Sequence, residues 1–222
     1  MLVTASTTVL GTLGLSILAV MVDPLWRWTG RLATLVHEAG HATTLLATGN
    51  WPRGVLINPG GGGETILPDR VVFWPSAVLA ASAGYTAPSI AGLVLARAVT
   101  LGWDPAATLG VLLVIVTVLV FFNGNWFGLA VLGLAGLALA LFFWRAPAAA
   151  QVGAITALAW FLLLGGLRRL WELTDQPASS VADFAYLARR TGIPAAVWFL
   201  LIDAVAVLAL ITAARWLLTS HL

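Results

Sequence analysis

The sequence contains no cysteine and no lysine, and it has few charged residues of any kind. Of its 222 residues 60% are hydrophobic and only 9% are charged, whereas a soluble domain carries about a quarter charged residues. The absence of cysteine excludes disulfide bonds and thiolate metal ligands. All eleven basic residues are arginine and the net charge is only +2, so the composition predicts no nucleic-acid partner.

The sequence instead contains long runs of apolar residues. Several of them reach the length of about 20 residues that crosses a bilayer as a helix. The sequence therefore predicts an all-α polytopic membrane protein, with the lipid bilayer as its solvent and one domain over residues 1–222. About seven spans are predicted, at residues 7–22, 31–49, 76–101, 105–122, 126–144, 148–166 and 195–218.

Histidine is also scarce, and two of the three histidines, His37 and His41, stand in an HEAGH motif within an apolar run. Positions four apart share one face of a helix, so both imidazoles can bind one metal ion with Glu38 in the same cavity. Zinc held by two histidines and a carboxylate keeps a position open for water, and a nearby carboxylate can accept that water's proton. Because ionisable groups in hydrophobic spans are costly and usually functional, the motif predicts a zinc site with Glu38 as general base.

A third protein ligand must be an aspartate or a glutamate, because no other histidine is well placed: the remaining one, His221, is next to last. Asp183 lies in the mostly apolar segment VADFAYLA, where an unpaired carboxylate would be hard to place against lipid. Asp203, deeper within a span, is the direct rival, although it could instead pair with Arg97. Asp175 and Asp104 are interpreted as turn or cap residues.

A polar-leaning segment follows the HEAGH run. Two short apolar runs flank Asn58, Pro59 and four consecutive glycines, which predicts a β-hairpin; a flexible loop is the alternative. A phosphate-binding loop would need a following Lys-Ser/Thr, which is missing. Since an extended peptide can add to a strand edge, the hairpin supplies candidate substrate-binding residues. These are Val55, Leu56, Ile57, Gly61, Thr65 and Ile66.

A second polar segment lies before the last span. Ser179 or Ser180 is predicted to cap a short helix that runs through Arg190 and stops at Gly192 and Pro194. The arginines of the chain are interpreted as anchors at the membrane interface.

Four segments in this order carry a resemblance: HEAGH, GGGGETIL, SAGYTAPSIAGL and SSVADFAYLARRTGIPAAVW. Together they resemble the site-2-protease class of intramembrane zinc metalloproteases, in its compact B-like branch, over residues 31–198. The resemblance implies zinc ligation by His37, His41 and Asp183, with Glu38 as general base, and location in a bacterial cell membrane. Better-known members of the class place the aspartate in a Leu-Asp-Gly motif, whereas this chain has Ala-Asp-Phe around Asp183.

The function expected from motif and resemblance is hydrolysis of peptide bonds in or near transmembrane segments of substrate proteins. A catalytically inactive relative that scaffolds or retains membrane partners is the main alternative. Metal transport is the weakest hypothesis, because polar residues should then recur through several spans, and most of the other helices have almost none.

Overall fold

Helices dominate the structure, a computed structural model that describes residues 2–69 and 71–219, with side chains from residue 7 onward. Arg70 and His221 lie outside the described residues. The helices are α1 (Leu2–Met21), α2 (Asp23–Ala47), α3 (Trp74–Thr100), α4 (Pro105–Phe122), α5 (Trp126–Arg145), α6 (Ala148–Trp171), α7 (Ala182–Thr191) and α8 (Ala195–Thr219). Strands β1 (Gly54–Ile57) and β2 (Gly63–Ile66) pair antiparallel between α2 and α3. The predicted helical membrane fold with a hairpin after the second helix is confirmed.

Five of these helices, α3, α4, α5, α6 and α8, are each long and apolar enough to cross a membrane. The pair α1 and α2 also passes this test, but only jointly and with a bend of 100° between them, which makes six spans at most. Pro24 stands in the first turn of α2, where its missing N–H costs no hydrogen bond. The estimate of about seven spans is therefore one higher than the structure supports, because two of the apolar runs form one bent unit.

Helix α3 lies at the centre of the bundle and packs against α2, α6 and α8. It approaches α6 closely at Gly92, where a Cβ would lie 2.7 Å from Cγ of Leu163 and 2.8 Å from the carbonyl oxygen of Ala159. Small residues at such crossings let helix backbones approach closely, which is how membrane helices gain packing contacts. The buried Trp160 and Leu163 of α6 complete this part of the core.

The hairpin is a two-stranded sheet with one edge covered. In its register Val55 lies opposite Thr65 and Leu56 opposite Glu64. The outer edge of β1 contacts the loop between α4 and α5, since the N–H of Gly124 donates to the carbonyl of Val55 at 2.9 Å. The side-chain amide of Asn125 donates to the carbonyl of Ile57 at 2.8 Å. Strand β2 is therefore the one with an open edge.

The start of α7 differs from its prediction. Its N-cap is Val181, with no capping side chain, and neither Ser179 nor Ser180 caps the helix. A 3₁₀ turn over Ala178–Ser180 intervenes, and the Ser180 hydroxyl donates to the carbonyl of Pro177 at 2.7 Å. The predicted stop is confirmed, because Gly192 adopts the left-handed conformation at φ +74° that favours glycine after a helix. Asp183 consequently stands in the first turn of α7.

Candidate metal centre and adjoining cavity

Three side chains from two distant elements converge on one point. Nε2 of His37 and Nε2 of His41, both from α2, lie 3.0 Å apart. Oδ2 of Asp183 from α7 lies 3.5 Å from each of these nitrogens. Zinc bonds of about 2.0–2.2 Å in a tetrahedral arrangement separate neighbouring ligand atoms by roughly 3.3 Å. The spacing of the three atoms therefore fits a zinc ion with a fourth position to spare.

The protonation pattern of His41 also fits a metal ligand. Its Nδ1 lies 2.7 Å from the carbonyl oxygen of Ala80 on α3. A carbonyl can only accept, so Nδ1 carries the proton and a neutral His41 presents the lone pair of Nε2 toward Asp183. Metal-binding histidines are typically oriented by such a second hydrogen bond.

Helix α3 comes unusually close to the two rings at Gly84. A Cβ at this position would collide with the imidazoles of both His41 and His37. The next residue, Tyr85, packs its ring edge-on against His37 with centroids 4.3 Å apart, and stacks on Phe184 of α7 at 5.1 Å. These contacts of the SAGYT segment fix the position of the α2 histidines relative to the start of α7.

Asp183 lies beside the spans rather than within one, and its carboxylate is suited to bind a cation. Burial raises the pKa of the Asp183 carboxyl, but protons on the neighbouring Nε2 atoms of His37 and His41 lower that pKa by more, and a zinc ion bound in their place would do the same. Two neutral imidazoles and one carboxylate form a donor set that zinc accepts.

The rival carboxylates lie elsewhere. Asp203 of α8 is half-buried and has no hydrogen bond or ion pair with any residue in 2–69 or 71–219, and it is not part of the histidine cluster. Asp104 caps α4 by accepting a hydrogen bond from the N–H of Ala107 at 2.6 Å, as predicted. Asp175 is exposed in the turn after α6.

Glu38 follows His37 directly in the sequence and is only 3% exposed. Its Oε2 accepts a hydrogen bond from the Thr65 hydroxyl of β2 at 2.7 Å. On the same strand Gly63 packs so closely that a Cβ there would lie 2.7 Å from both Cγ and Oε1 of Glu38. Strand β2 therefore lies directly on this carboxylate.

A cavity of about 560 Å³ opens over the cluster. Of the hairpin residues predicted to bind substrate, Gly61 and Thr65 line this cavity. Val55, Leu56, Ile57 and Ile66 do not. Strand β1 does not line the cavity because the side chains of Val55 and Ile57 are buried in the core and the outer edge of the strand is covered. These β1 residues contact the rest of the protein, and their contact with substrate stays a prediction.

Arg169, near the end of α6, lines the cavity, but the sequence did not predict it as a site residue. Its guanidinium donates to the carbonyl of Gly30 at 2.8 Å, to the Thr34 hydroxyl at 2.8 Å and to the carbonyl of Gly61 at 3.2 Å. The Thr34 hydroxyl in turn donates to Gly61 at 2.7 Å. Arg169 was interpreted as an interfacial anchor, but it ties the glycine turn to α2. No local sequence signal separates it from Arg168, which contacts Asp23 instead.

Comparison with known families gives one match. The sequence model of the family described as Peptidase M50B-like matches residues 10–213, which is most of the chain and includes every residue of the cluster. Neither the curated proteins nor the solved structures gave a match.

Proposed function

The chain belongs to the Peptidase M50B-like family, and on this premise we propose that it is a zinc-dependent protease that hydrolyses peptide bonds in or near transmembrane segments of other proteins. One observation supports this function above all others. Imidazoles of His37 and His41 and the carboxylate of Asp183 converge beside the buried Glu38, within a bundle of membrane-length helices. Peptide hydrolysis uses this combination of a metal-binding triad and a free carboxylate.

Each residue of the cluster has a distinct role in this proposal. His37, His41 and Asp183 hold the zinc ion, which when bound supplies a Lewis acid for the scissile carbonyl and an acidified water. Glu38 removes the proton from the attacking water and delivers it to the leaving amine. Glu38 is buried, and the low access of water to its carboxylate strengthens these electrostatic interactions.

The substrate is expected to lie as an extended strand along β2. Val55 and Ile57 direct their backbone groups away from β2, as their bonds to the α4–α5 loop indicate. By the alternation of an antiparallel pair, the opposite residues Thr65 and Gly63 direct theirs away from β1. Neither has a backbone partner in the described part of the chain. This edge adjoins the cavity, so a peptide that pairs with it passes the metal cluster.

The partner is a transmembrane segment that has partly unwound. A peptide in a helix uses its carbonyl groups in its own hydrogen bonds, and it cannot pair with a strand edge at the same time. Lipid is the expected surrounding medium, because α3, which packs against both α2 and α7, is of membrane-spanning length.

The test uses detergent-purified protein and reporter polypeptides, each with one transmembrane segment that carries a Gly-Pro pair at a different depth. We expect zinc-loaded wild-type protein to cleave at least one reporter in or near that segment, and we expect Glu38→Gln to abolish cleavage. Mass spectrometry of the products locates the cut. Glu38→Gln should keep its zinc, because Glu38 is not among the three converging ligands.

Two outcomes would contradict the proposal. Equal cleavage by wild type and Glu38→Gln would assign the activity to a contaminant. No cleavage of any reporter by a zinc-loaded wild type would favour the alternative of an inactive membrane scaffold.

A further inference from the structure

The contact between Thr65 and Glu38 gives the hairpin a second role beside substrate binding. The Thr65 hydroxyl lies 2.7 Å from Oε2 of Glu38 and 3.2 Å from the backbone carbonyl of the same residue. Among the described residues it is the one hydrogen-bond donor to this carboxylate. A buried carboxylate without any donor is strongly disfavoured, so this single bond determines how the group is held.

We propose that Thr65 is a positioning residue that orients Glu38 for proton transfer; this inference rests on the proposed protease function. A general base must keep one oxygen free to accept the proton of water while the group as a whole stays in place. Thr65 engages Oε2, and Oε1 has no donor within residues 2–69 or 71–219. A Cβ at Gly63 would lie 2.7 Å from both Cγ and Oε1 of Glu38, so the glycine leaves the space beside Oε1 that a side chain would fill.

Strand β2 thereby links substrate binding to the orientation of the base. In a strand, the side chain and the backbone hydrogen-bonding groups of a residue point in different directions. Thr65 uses its side chain for Glu38, whereas its backbone N–H and C=O belong to the open edge. A peptide that pairs with this edge also fixes the residue whose hydroxyl holds the base. Loss of the hydroxyl should then affect turnover and leave the backbone contacts of the substrate intact.

The experiment compares Thr65→Val, which keeps the shape but removes the hydroxyl, with Thr65→Ser, which keeps the hydroxyl. We expect Thr65→Val to lower kcat roughly 10- to 100-fold, the usual effect of removing a hydrogen bond to a charged group. KM should change by less than about threefold, since backbone pairing is retained. Thr65→Ser should recover most of the activity. Zinc content should equal that of the wild type in both variants.

Two further variants complete the design. Thr65→Ala is a second hydroxyl-free variant, with less bulk on β2, and should behave like Thr65→Val. Thr117→Val is the matched control, because the exposed Thr117 hydroxyl of α4 bonds, among the described residues, only to the Leu113 carbonyl of its own helix. It should leave kcat unchanged.

The outcomes separate this inference from the protease proposal. Wild-type kcat in Thr65→Val, with Glu38→Gln inactive, would overturn the role of Thr65 and leave the protease function in place. Loss of zinc in Thr65→Val, or failure of Thr65→Ser to recover activity, would also overturn it by indicating a merely structural residue. An inactive wild type would overturn both proposals.

Discussion

Gly84 determines how closely α3 can approach the candidate metal site formed by His37, His41 and Asp183. A methyl group at this position would overlap the rings of both His37 and His41. We expect Gly84→Ala to displace the imidazoles and to weaken zinc affinity roughly 10- to 100-fold, as is usual when groups that orient metal ligands are changed. The measurement is a competition titration of the purified variant against a zinc chelator.

Gly133→Ala provides the control for this substitution. Gly133 also lies in a membrane helix, α5, but a Cβ there would have no neighbour within 4 Å. Its zinc affinity should equal that of the wild type. Wild-type affinity in Gly84→Ala would show that the two histidines can move aside without losing the metal, which contradicts the geometry described above.

The sequence predicted some of these residues and not others, for a physical reason. His37, Glu38 and His41 could be predicted because the period of a helix brings positions four apart onto one face. Asp183 was favoured over Asp203 by its apolar surroundings, and it is the aspartate that reaches the histidines. Gly84 and the bond from Thr65 to Glu38 could not be predicted, because helix packing and hairpin docking decide them.

At the scale of elements, Arg169 fastens the hairpin to the bundle. It donates to Gly61 in the glycine turn and to Thr34 and Gly30 on α2. We expect Arg169→Gln to free the turn, because a hydrogen bond from a charged group contributes about 1.5–3 kcal/mol. Within residues 58–62, the hydrogen-bonded amides of Asn58 and Gly61 should then exchange with deuterium roughly 10- to 100-fold faster, which mass spectrometry of peptic fragments measures.

Arg145→Gln serves as the control, since Arg145 stands in the last turn of α5, at the opposite end of that helix from Asn125, which contacts β1. Exchange at residues 58–62 should match the wild type in this variant. If Arg169→Gln also leaves that exchange unchanged, another contact holds the turn. The hydrogen bond from Arg31 to the carbonyl of Pro59, at 2.9 Å, would then be the first to examine.

The helices and strands that were predicted correctly are those marked by residues close to them in the sequence. The glycine-rich turn between two apolar runs indicated the hairpin, and Gly192 indicated the end of α7. The prediction of a serine cap at the start of α7 was wrong, because a serine before a helix can equally form a 3₁₀ turn, as Ser180 does. The loop that covers β1 could not be predicted, since Asn125 lies 68 residues from Ile57 in sequence.

At the scale of the whole molecule, hydropathy predicted the membrane class and overestimated the number of spans. Each apolar run was counted separately, but α1 and α2 meet at 100° and qualify only as a pair. Contacts with α6 secure this bend, because Arg168 bonds to the carbonyl of Val20 and to Asp23 at 2.5 Å. A count of spans based on the length and composition of apolar runs cannot detect such a bend.

The fold brings α2 and α7 together around α3, and this arrangement joins residues that lie more than 140 positions apart at one point. Helix α2 contributes the two histidines and the proposed base Glu38, α7 contributes the aspartate, and β2 covers Glu38. The central claim is therefore that His37, His41 and Asp183 bind one zinc ion.

The most direct test is the zinc content of detergent-purified protein, measured by mass spectrometry for the wild type and for three alanine variants. We expect near-stoichiometric zinc in the wild type and in Asp203→Ala, and almost none in His37→Ala and Asp183→Ala. Asp203→Ala is the matched control, because it removes a carboxylate that lies outside the cluster. A wild type that stays metal-free after zinc is supplied, or an Asp183→Ala variant that keeps its zinc, would contradict the account.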